Sequence, residues 1–202
     1  MAQVAQAHQE HHTSTGLDNR KLLMWAFLGS DCMFFGSLIA TFLVYRNRSL
    51  VGPYPEDVFS IPITTVSTFV LLMSSMSMVM AYSSLRRGRI KAFRTWLLST
   101  AIMGMTFLGF QVFEFWLFAL EGLTPRTNLF GSTFFTLTGF HGAHVTVGVI
   151  WLLSIYFYSL RGKITPEKSL EVDLAALYWH FVDVVWIVIF TVVYLFGVFP
   201  GF

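Results

Sequence analysis

The sequence predicts an all-α fold, a polytopic membrane helical bundle of five transmembrane helices. The first observation behind this prediction is composition, since 55% of the 202 residues are hydrophobic and only 12% are charged, whereas about a quarter of the residues in soluble domains are charged. The second is a total of 22 phenylalanines, a load of apolar surface that lipid or other membrane helices can bury. Both observations argue against a soluble enzyme.

The third observation is the arrangement of the apolar residues along the chain. Crossing a bilayer core of about 30 Å takes about 20 mostly apolar residues, and five such runs occur, at 22–45, 62–85, 95–120, 132–160 and 174–199. Short connections between them carry most of the Lys, Arg, Pro and Asn. We therefore expect a flexible polar N-terminal tail over residues 1–21 and one five-helix transmembrane domain over residues 22–202.

The distribution of positive charge predicts the orientation of the helices. The tail and the second and fourth connections together contain ten Lys and Arg residues, whereas the opposite side contains three, Arg46, Arg48 and Arg126. Because Lys and Arg accumulate on the cytoplasmic side of membrane proteins, the N-terminus is predicted to be cytoplasmic in a bacterial cell. This asymmetry accounts for most of the net charge of +2, so we predict no nucleic-acid binding.

Ionisable side chains inside the predicted helices are the candidate functional residues, because each one is costly in a bilayer unless it is paired, hydrated or neutralised. The candidates are Asp31 in the first helix, Glu114 in the third, His141 and His144 in the fourth, and His180 and Asp183 in the fifth.

Asp31 lies about nine residues into the first predicted helix, near the middle of the hydrocarbon. Apolar surroundings favour the protonated form of its carboxyl group. One interpretation is a carboxyl that takes part in proton movement or meets a lipid head group. The other is a protonated acid that is hydrogen-bonded to a neighbouring helix, and the spacing alone leaves both open.

The remaining candidates suggest either a metal site or a structural network. His141 and His144 are three residues apart on one helix, and His180 and Asp183 repeat that spacing. With Glu114 they could form a di-iron or haem site. However, di-iron bundles use Glu-x-x-His on two helices, and no histidine follows Glu114 at that spacing. We favour a buried polar network in which these five side chains satisfy one another, and we predict no catalytic, cofactor or metal site in this chain.

Three blocks of sequence carry a resemblance to a known family. The first is Gly-Ser-Thr-Phe-Phe at 131–135 followed by Thr-Gly-Phe-His-Gly-Ala-His-Val at 138–145. The second is Tyr-Trp-His-Phe-Val-Asp-Val-Val-Trp at 178–186, and a weaker third is Phe-Gln-Val-Phe-Glu-Phe at 110–115. These blocks resemble cytochrome c oxidase subunit III, and the chain is similar to the last five of the seven helices in long members. Asp31 stands where many members carry glutamate.

The resemblance implies an accessory, non-redox subunit of an aerobic respiratory oxidase in the bacterial cell membrane. It implies that haem and copper lie in partner subunits and that phospholipid is bound. The resemblance implies that the chain contacts oxidase subunit I, the proton-pumping, oxygen-reducing subunit, directly. It also implies association with subunit II and other oxidase subunits. The implied roles are lipid binding, assembly and sustained proton uptake, with Asp31 as the family's intramembrane acid.

Two alternatives to the cytochrome c oxidase interpretation remain. The Ser30-Asp31-Cys32 run is also similar to subunit III of quinol oxidases, although the motifs at 131–135 and 138–142 favour the cytochrome c branch. From the residues alone, a self-contained membrane metal or haem enzyme built on His141, His144 and His180 is the further alternative.

Overall fold

A computed structural model of the chain describes residues 18–46, 48–49, 52, 61–166 and 169–196. These residues form the helices α1 (Asn19–Tyr45), α2 (Ile61–Arg86), α3 (Ile90–Leu120), α4 (Leu129–Leu160) and α5 (Leu170–Ile189), and a π-helical segment, Phe190–Leu195, continues α5. All five helices are long and apolar enough to cross a membrane, and the described ranges contain no strand. The prediction of an all-α, five-span bundle is confirmed.

Several helices begin earlier than the hydropathy of the sequence indicates. α3 begins at Ile90 rather than at 95, and α5 begins at Leu170 rather than at 174. The first turns of α3 contain Lys91 and Arg94, which a membrane helix tolerates because long basic side chains can extend towards the interface. α1 begins at Asn19 and so includes the end of the predicted tail, of which residues 1–17 lie outside the described part of the chain.

α2, α3 and α4 end with the same capping arrangement. The glycine that lies two residues beyond each helix has a positive φ, which is 70° at Gly88, 84° at Gly122 and 70° at Gly162. In the first of these caps the N–H of Arg89 donates to the carbonyl of Ser84 at 2.9 Å, which closes the last turn. A side chain would be strained at such a φ, so these glycines allow the chain to turn within short connections.

Trp179 of α5 joins four helices in the core of the bundle. Its fully buried indole lies between two glycines: a Cβ added at Gly104 of α3 would be 2.5 Å from its Cη2, and one added at Gly148 of α4 would be 2.9 Å from its Cε3. Its Nε1 donates to the hydroxyl of Ser74 in α2 at 2.9 Å. Small residues at these positions let membrane helices approach closely, so the contacts around Trp179 fix α2, α3, α4 and α5 together.

α1 packs on α4 and α5 along one narrow stripe. Its buried residues are Leu28, Phe35 and Phe42, a spacing of seven that is typical of a single helix–helix seam. An ion pair between Lys21 Nζ and Asp173 Oδ2 at 2.7 Å adds a link between the beginnings of α1 and α5. The other faces of α1 are therefore open to lipid or to another subunit.

Candidate functional site

The structure distributes the six candidate residues over separate places in the bundle. Asp31 and His144 meet where α1 packs on α4, and both lie near the midpoints of their helices. His141 contacts the backbone of α5, and His180 contacts α2. Glu114 joins α2 to the π-helical segment. The five residues that we expected to hydrogen-bond to one another therefore take part in different contacts. Asp31, which we did not include in that predicted network, is the neighbour of His144.

Asp31 and His144 form a close but imperfect pair. Nε2 of His144 lies 3.5 Å from Oδ2 of Asp31, and their side chains are 20% and 14% exposed, respectively. This separation exceeds that of an ordinary hydrogen bond, and Oδ2 has no hydrogen-bond partner among the described residues. The ring of Phe35 packs against His144, with 5.0 Å between the ring centroids, and makes the surroundings of the pair apolar.

The other ring nitrogen of His144 determines how protons are arranged in this pair. Nδ1 lies 2.7 Å from the carbonyl oxygen of Phe140, and because a carbonyl can only accept, Nδ1 carries a hydrogen. In a neutral ring Nε2 then has a lone pair that faces Asp31. An electrically neutral pair thus holds one further proton, which resides either on the Asp31 carboxyl or on Nε2. A small approach of the two groups would place that proton between them.

His141 lies deeper than His144 and is enclosed by aromatic rings. Its side chain is fully buried, and Nε2 lies 3.2 Å from the carbonyl oxygen of Val182. Its ring centroid is 4.8 Å from that of Trp186 and 5.9 Å from that of Phe107. Nδ1 has no hydrogen-bond partner in the described part of the chain. Nε2 therefore carries the hydrogen, and His141 acts as a donor to the backbone of α5.

His180 and Asp183 both lie beside Ser75 of α2. The Ser75 hydroxyl is 2.6 Å from Nδ1 of His180 and is also close enough to interact with the Asp183 carboxyl. Neither oxygen of Asp183, which is 2% exposed, has a hydrogen bond of regular geometry to a described residue. No hydrogen bond joins His180 directly to Asp183 in these ranges, and Ser75 is a neighbour of both side chains.

Glu114 is the most completely satisfied of the candidate residues. It is 5% exposed, its Oε1 accepts from the Thr64 hydroxyl at 2.5 Å, and its Oε2 accepts from the Tyr194 hydroxyl at 3.2 Å. These hydrogen bonds connect α2, α3 and the π-helical segment. Such interhelical hydrogen bonds are a recognised means of holding membrane helices together, and the geometry of Glu114 fits that structural role.

The sequence reasoning missed the hydroxyl residues of α2 that meet these side chains. Besides the bonds from Thr64 and Ser75, the Thr68 hydroxyl accepts from Nε1 of Trp186 at 2.9 Å. The sequence signal for this face is a set of serines and threonines in α2 that recur at intervals of three or four residues, which places them on one side of the helix. Its buried Ser and Thr residues are Thr64, Ser67, Thr68, Ser74 and Ser77.

The described residues offer no cluster of three His, Cys, Asp or Glu side chains that could hold a metal ion. His141 and His144 occupy the same stretch of α4, but their donor atoms are directed to the backbone of Val182 and to Asp31. What the arrangement can do chemically is to hold and exchange a proton at the Asp31–His144 pair, which lies at the edge of the bundle near mid-membrane.

Comparison with known proteins gives a match over nearly the whole chain. The family model for cytochrome c oxidase subunit III matches residues 3–198. The chain belongs to this family. Two quinol oxidase subunits 3, from Bacillus spizizenii (strain ATCC 23059 / NRRL B-14472 / W23) and Bacillus subtilis (strain 168), are each 40% identical over 191 residues, which cover 95% of this chain and 93% of the relative. The cytochrome c oxidase subunit 3 of Bacillus sp. (strain PS3) is 36% identical over 196 residues, covering 97% of this chain and 95% of the relative.

Membership in the subunit III family gives the chain its place in the cell. It is subunit III of a bacterial haem-copper oxidase, a multi-pass protein of the plasma membrane and part of an oxidoreductase complex of the respiratory chain. Some relatives that match nearly the whole chain are named quinol oxidase subunit 3 and others cytochrome c oxidase subunit 3. The similarity alone therefore does not identify the electron donor of the complex.

Proposed function

We propose that this chain is an accessory, non-redox subunit that supports sustained proton uptake by the catalytic subunit of the oxidase. The observation that carries the proposal is the Asp31–His144 pair, whose atoms Oδ2 and Nε2 lie 3.5 Å apart at mid-membrane. In a medium where charge is costly, a carboxyl and an imidazole that share one proton can pass it from one to the other while the pair as a whole stays neutral.

The position of the pair supports a role at a subunit boundary. Asp31 and His144 are both partly exposed, and α1 is covered by the rest of the chain along a single stripe. A partner helix or lipid would complete the surroundings of the pair in the membrane. Glu114 and Asp183, by contrast, are buried within the bundle, which suits structural roles for these acids and for the histidines that contact neighbouring helices.

The other parts of the proposal concern partners, lipid and orientation. Haem and copper reside in partner subunits. The chain contacts oxidase subunit I directly and associates with subunit II and other subunits of the oxidase. The chain also binds phospholipid and aids assembly. The N-terminus is cytoplasmic, a placement supported by ten Lys and Arg residues on that side against three on the other. Asp31 then lies midway between the cytoplasm and the outside.

The composition of the purified complex tests this proposal. The tagged chain should be isolated from native membranes in mild detergent, and its partners and visible spectrum recorded. We expect it to co-purify with a haem-containing catalytic subunit, and we expect the separated chain to show neither a Soret band nor stoichiometric metal. A chain that purifies alone with bound iron or copper would instead support the self-contained enzyme.

Removal and return of the subunit test its supporting role. An oxidase stripped of this chain should begin turnover normally and then lose activity faster than the intact complex, because proton supply becomes limiting. Adding the purified chain back should restore the lifetime of activity. Equal lifetimes with and without the chain would contradict a role in sustained proton uptake.

The electron donor has two candidates because relatives bear both names. The relatives named quinol oxidase subunit 3 reach 40% identity, whereas that from Bacillus sp. (strain PS3) named for cytochrome c oxidase is 36% identical. The same purified complex can be supplied with reduced cytochrome c or with a quinol, and the donor that sustains oxygen consumption identifies the branch.

A further inference from the structure

A groove between α3 and α4 has one polar end and one apolar end. It has a volume of about 370 Å³ and is lined by Arg94, Thr95, Ser99, Ile102, Met103 and Tyr156, among others. Arg94 lies near the beginning of α3 and Tyr156 near the end of α4, so both belong to the side of the bundle where the N-terminus lies. At about 1.5 Å per residue, the lining from Arg94 to Met103 extends roughly 14 Å into the bilayer.

The guanidinium group of Arg94 is held in place at the polar end of this groove. Its Nε donates to the Ser159 hydroxyl at 2.9 Å, and its Nη2 donates to the Ser159 carbonyl. These bonds use part of its donor capacity, since a guanidinium has five N–H groups. No carboxylate pairs with Arg94 within the described ranges. An oriented positive charge therefore faces the groove with donors to spare.

Further cations surround the polar end. Lys91 lies one turn before Arg94 on α3, and Arg161 follows Ser159 at the end of α4. Both are exposed, and neither forms an ion pair with a described residue. The hydroxyl groups of Ser99 and Tyr156 also make no hydrogen bond to the described part of the chain. The entrance thus combines uncompensated positive charge with available donors.

We propose that this groove binds one anionic phospholipid, with its phosphodiester on the Arg94 guanidinium and an acyl chain along Ile102 and Met103. The ligand must carry a negative group at the membrane surface and an apolar group that extends towards the bilayer centre, which is the form of a phospholipid. Basic pockets between transmembrane helices recognise such head groups. The cations at the entrance favour phosphatidylglycerol or cardiolipin over phosphatidylethanolamine, whose amine compensates its phosphate.

This inference deepens the lipid-binding part of the proposed function and rests on it, but it is independent of any role of Asp31. It names the groove that holds the lipid, which lies between α3 and α4, and the class of head group that the groove prefers. Lipid binding and proton support can therefore fail separately in experiment.

Lipid retention by the purified oxidase complex tests the proposal. The complex should be equilibrated in vesicles of phosphatidylglycerol and phosphatidylethanolamine, extracted, and its bound lipids counted by native mass spectrometry. We expect Arg94→Gln to lose one phosphatidylglycerol relative to the unmodified complex. Arg126→Gln, which removes an exposed arginine at the other end of the bundle, is the matched control and should retain it.

A second variant separates the lipid from the structural bonds of Arg94. Ser99→Trp would fill the groove while leaving the Arg94 bonds to Ser159 in place, and it should lose the same lipid. Unchanged phosphatidylglycerol in this variant would overturn the proposal. So would equal loss of both lipid types, which would indicate no head-group recognition, or displacement by inorganic phosphate, which would indicate a simple anion site. An unmodified complex that retains no phospholipid would refute the lipid-binding function altogether.

Discussion

Two acids on opposite sides of this bundle have different hydrogen-bonding environments. On the α2–α3–α5 side, both carboxyl oxygens of Glu114 accept a hydrogen bond from a neighbouring element. On the α1 side, Asp31 has a histidine 3.5 Å away and an oxygen without a hydrogen-bond partner in the described chain. The packing differs as well, since α1 buries Leu28, Phe35 and Phe42 whereas α2 buries nine residues.

This difference is the basis for the proposal that Glu114 has a structural role and Asp31 a functional one. A carboxyl whose two oxygens both accept hydrogen bonds from surrounding helices contributes to stability by holding those helices together. A carboxyl that is partly exposed and incompletely bonded adds few bonds to the packing of the helices, which leaves it available for contact with a partner group. The two acids therefore predict opposite responses to substitution.

Glu114→Ala should give the largest effect on stability. It removes the acceptor of the bonds from Thr64 and Tyr194 and leaves a cavity, which together should lower the free energy of unfolding by about 2–4 kcal/mol. Thermal unfolding of the purified chain measures this change. Glu114→Gln keeps the shape and one acceptor oxygen and should cost about 1 kcal/mol. If Glu114→Ala unfolds at the same temperature as the unmodified protein, the structural role assigned to Glu114 is wrong.

Paired glycine substitutions compare the packing of the two sides. A Cβ at Gly104 would lie 2.5 Å from Cη2 of Trp179, whereas a Cβ at Gly36 of α1 would meet nothing within 4 Å. Gly104→Ala should therefore cost about 1–3 kcal/mol through overpacking, and Gly36→Ala should be neutral or stabilising by up to about 1 kcal/mol. Thermal unfolding of the two isolated variants checks the difference. Equal melting would contradict the contrast in packing density.

Carbodiimide labelling gives a smaller but more local comparison, because this reagent modifies protonated carboxyl groups in apolar surroundings. Asp31 is partly exposed at the edge of the bundle, whereas Glu114 is enclosed. Mass spectrometry of peptides should find modification at Asp31 several-fold faster than at Glu114. Faster labelling of Glu114 would reverse the assignment of the two acids.

The sequence predicted the depth of each polar residue better than its partner. Hydropathy places Asp31 near the middle of its apolar run, and the structure has it near the midpoint of α1, because the length of an apolar run fixes where a residue lies along a helix. The rotation of one helix against another depends on packing between distant segments. The slot that Gly104 and Gly148 form around Trp179 is such a feature, and so is the contact of Ser75 with His180.

The ends of the helices show a similar division between what can and cannot be predicted. The apolar runs locate all five spans, but the charge at Lys91 and Arg94 hides the first turns of α3. Basic side chains are compatible with a membrane helix near its ends, so charge alone is a poor marker of where α3 begins. The family blocks at 138–145 and 178–186 identify the chain, yet they do not show that His144 faces Asp31 rather than His180.

The most direct test of the account measures sustained proton uptake by the oxidase complex with this subunit altered at one acid or the other. Asp31→Asn and His144→Gln should each slow uptake and shorten the period of activity, and the double variant should be no worse than either, because both residues share one proton. Glu114→Gln, if it assembles, should match the unmodified complex. Normal, long-lived uptake in Asp31→Asn would contradict the account.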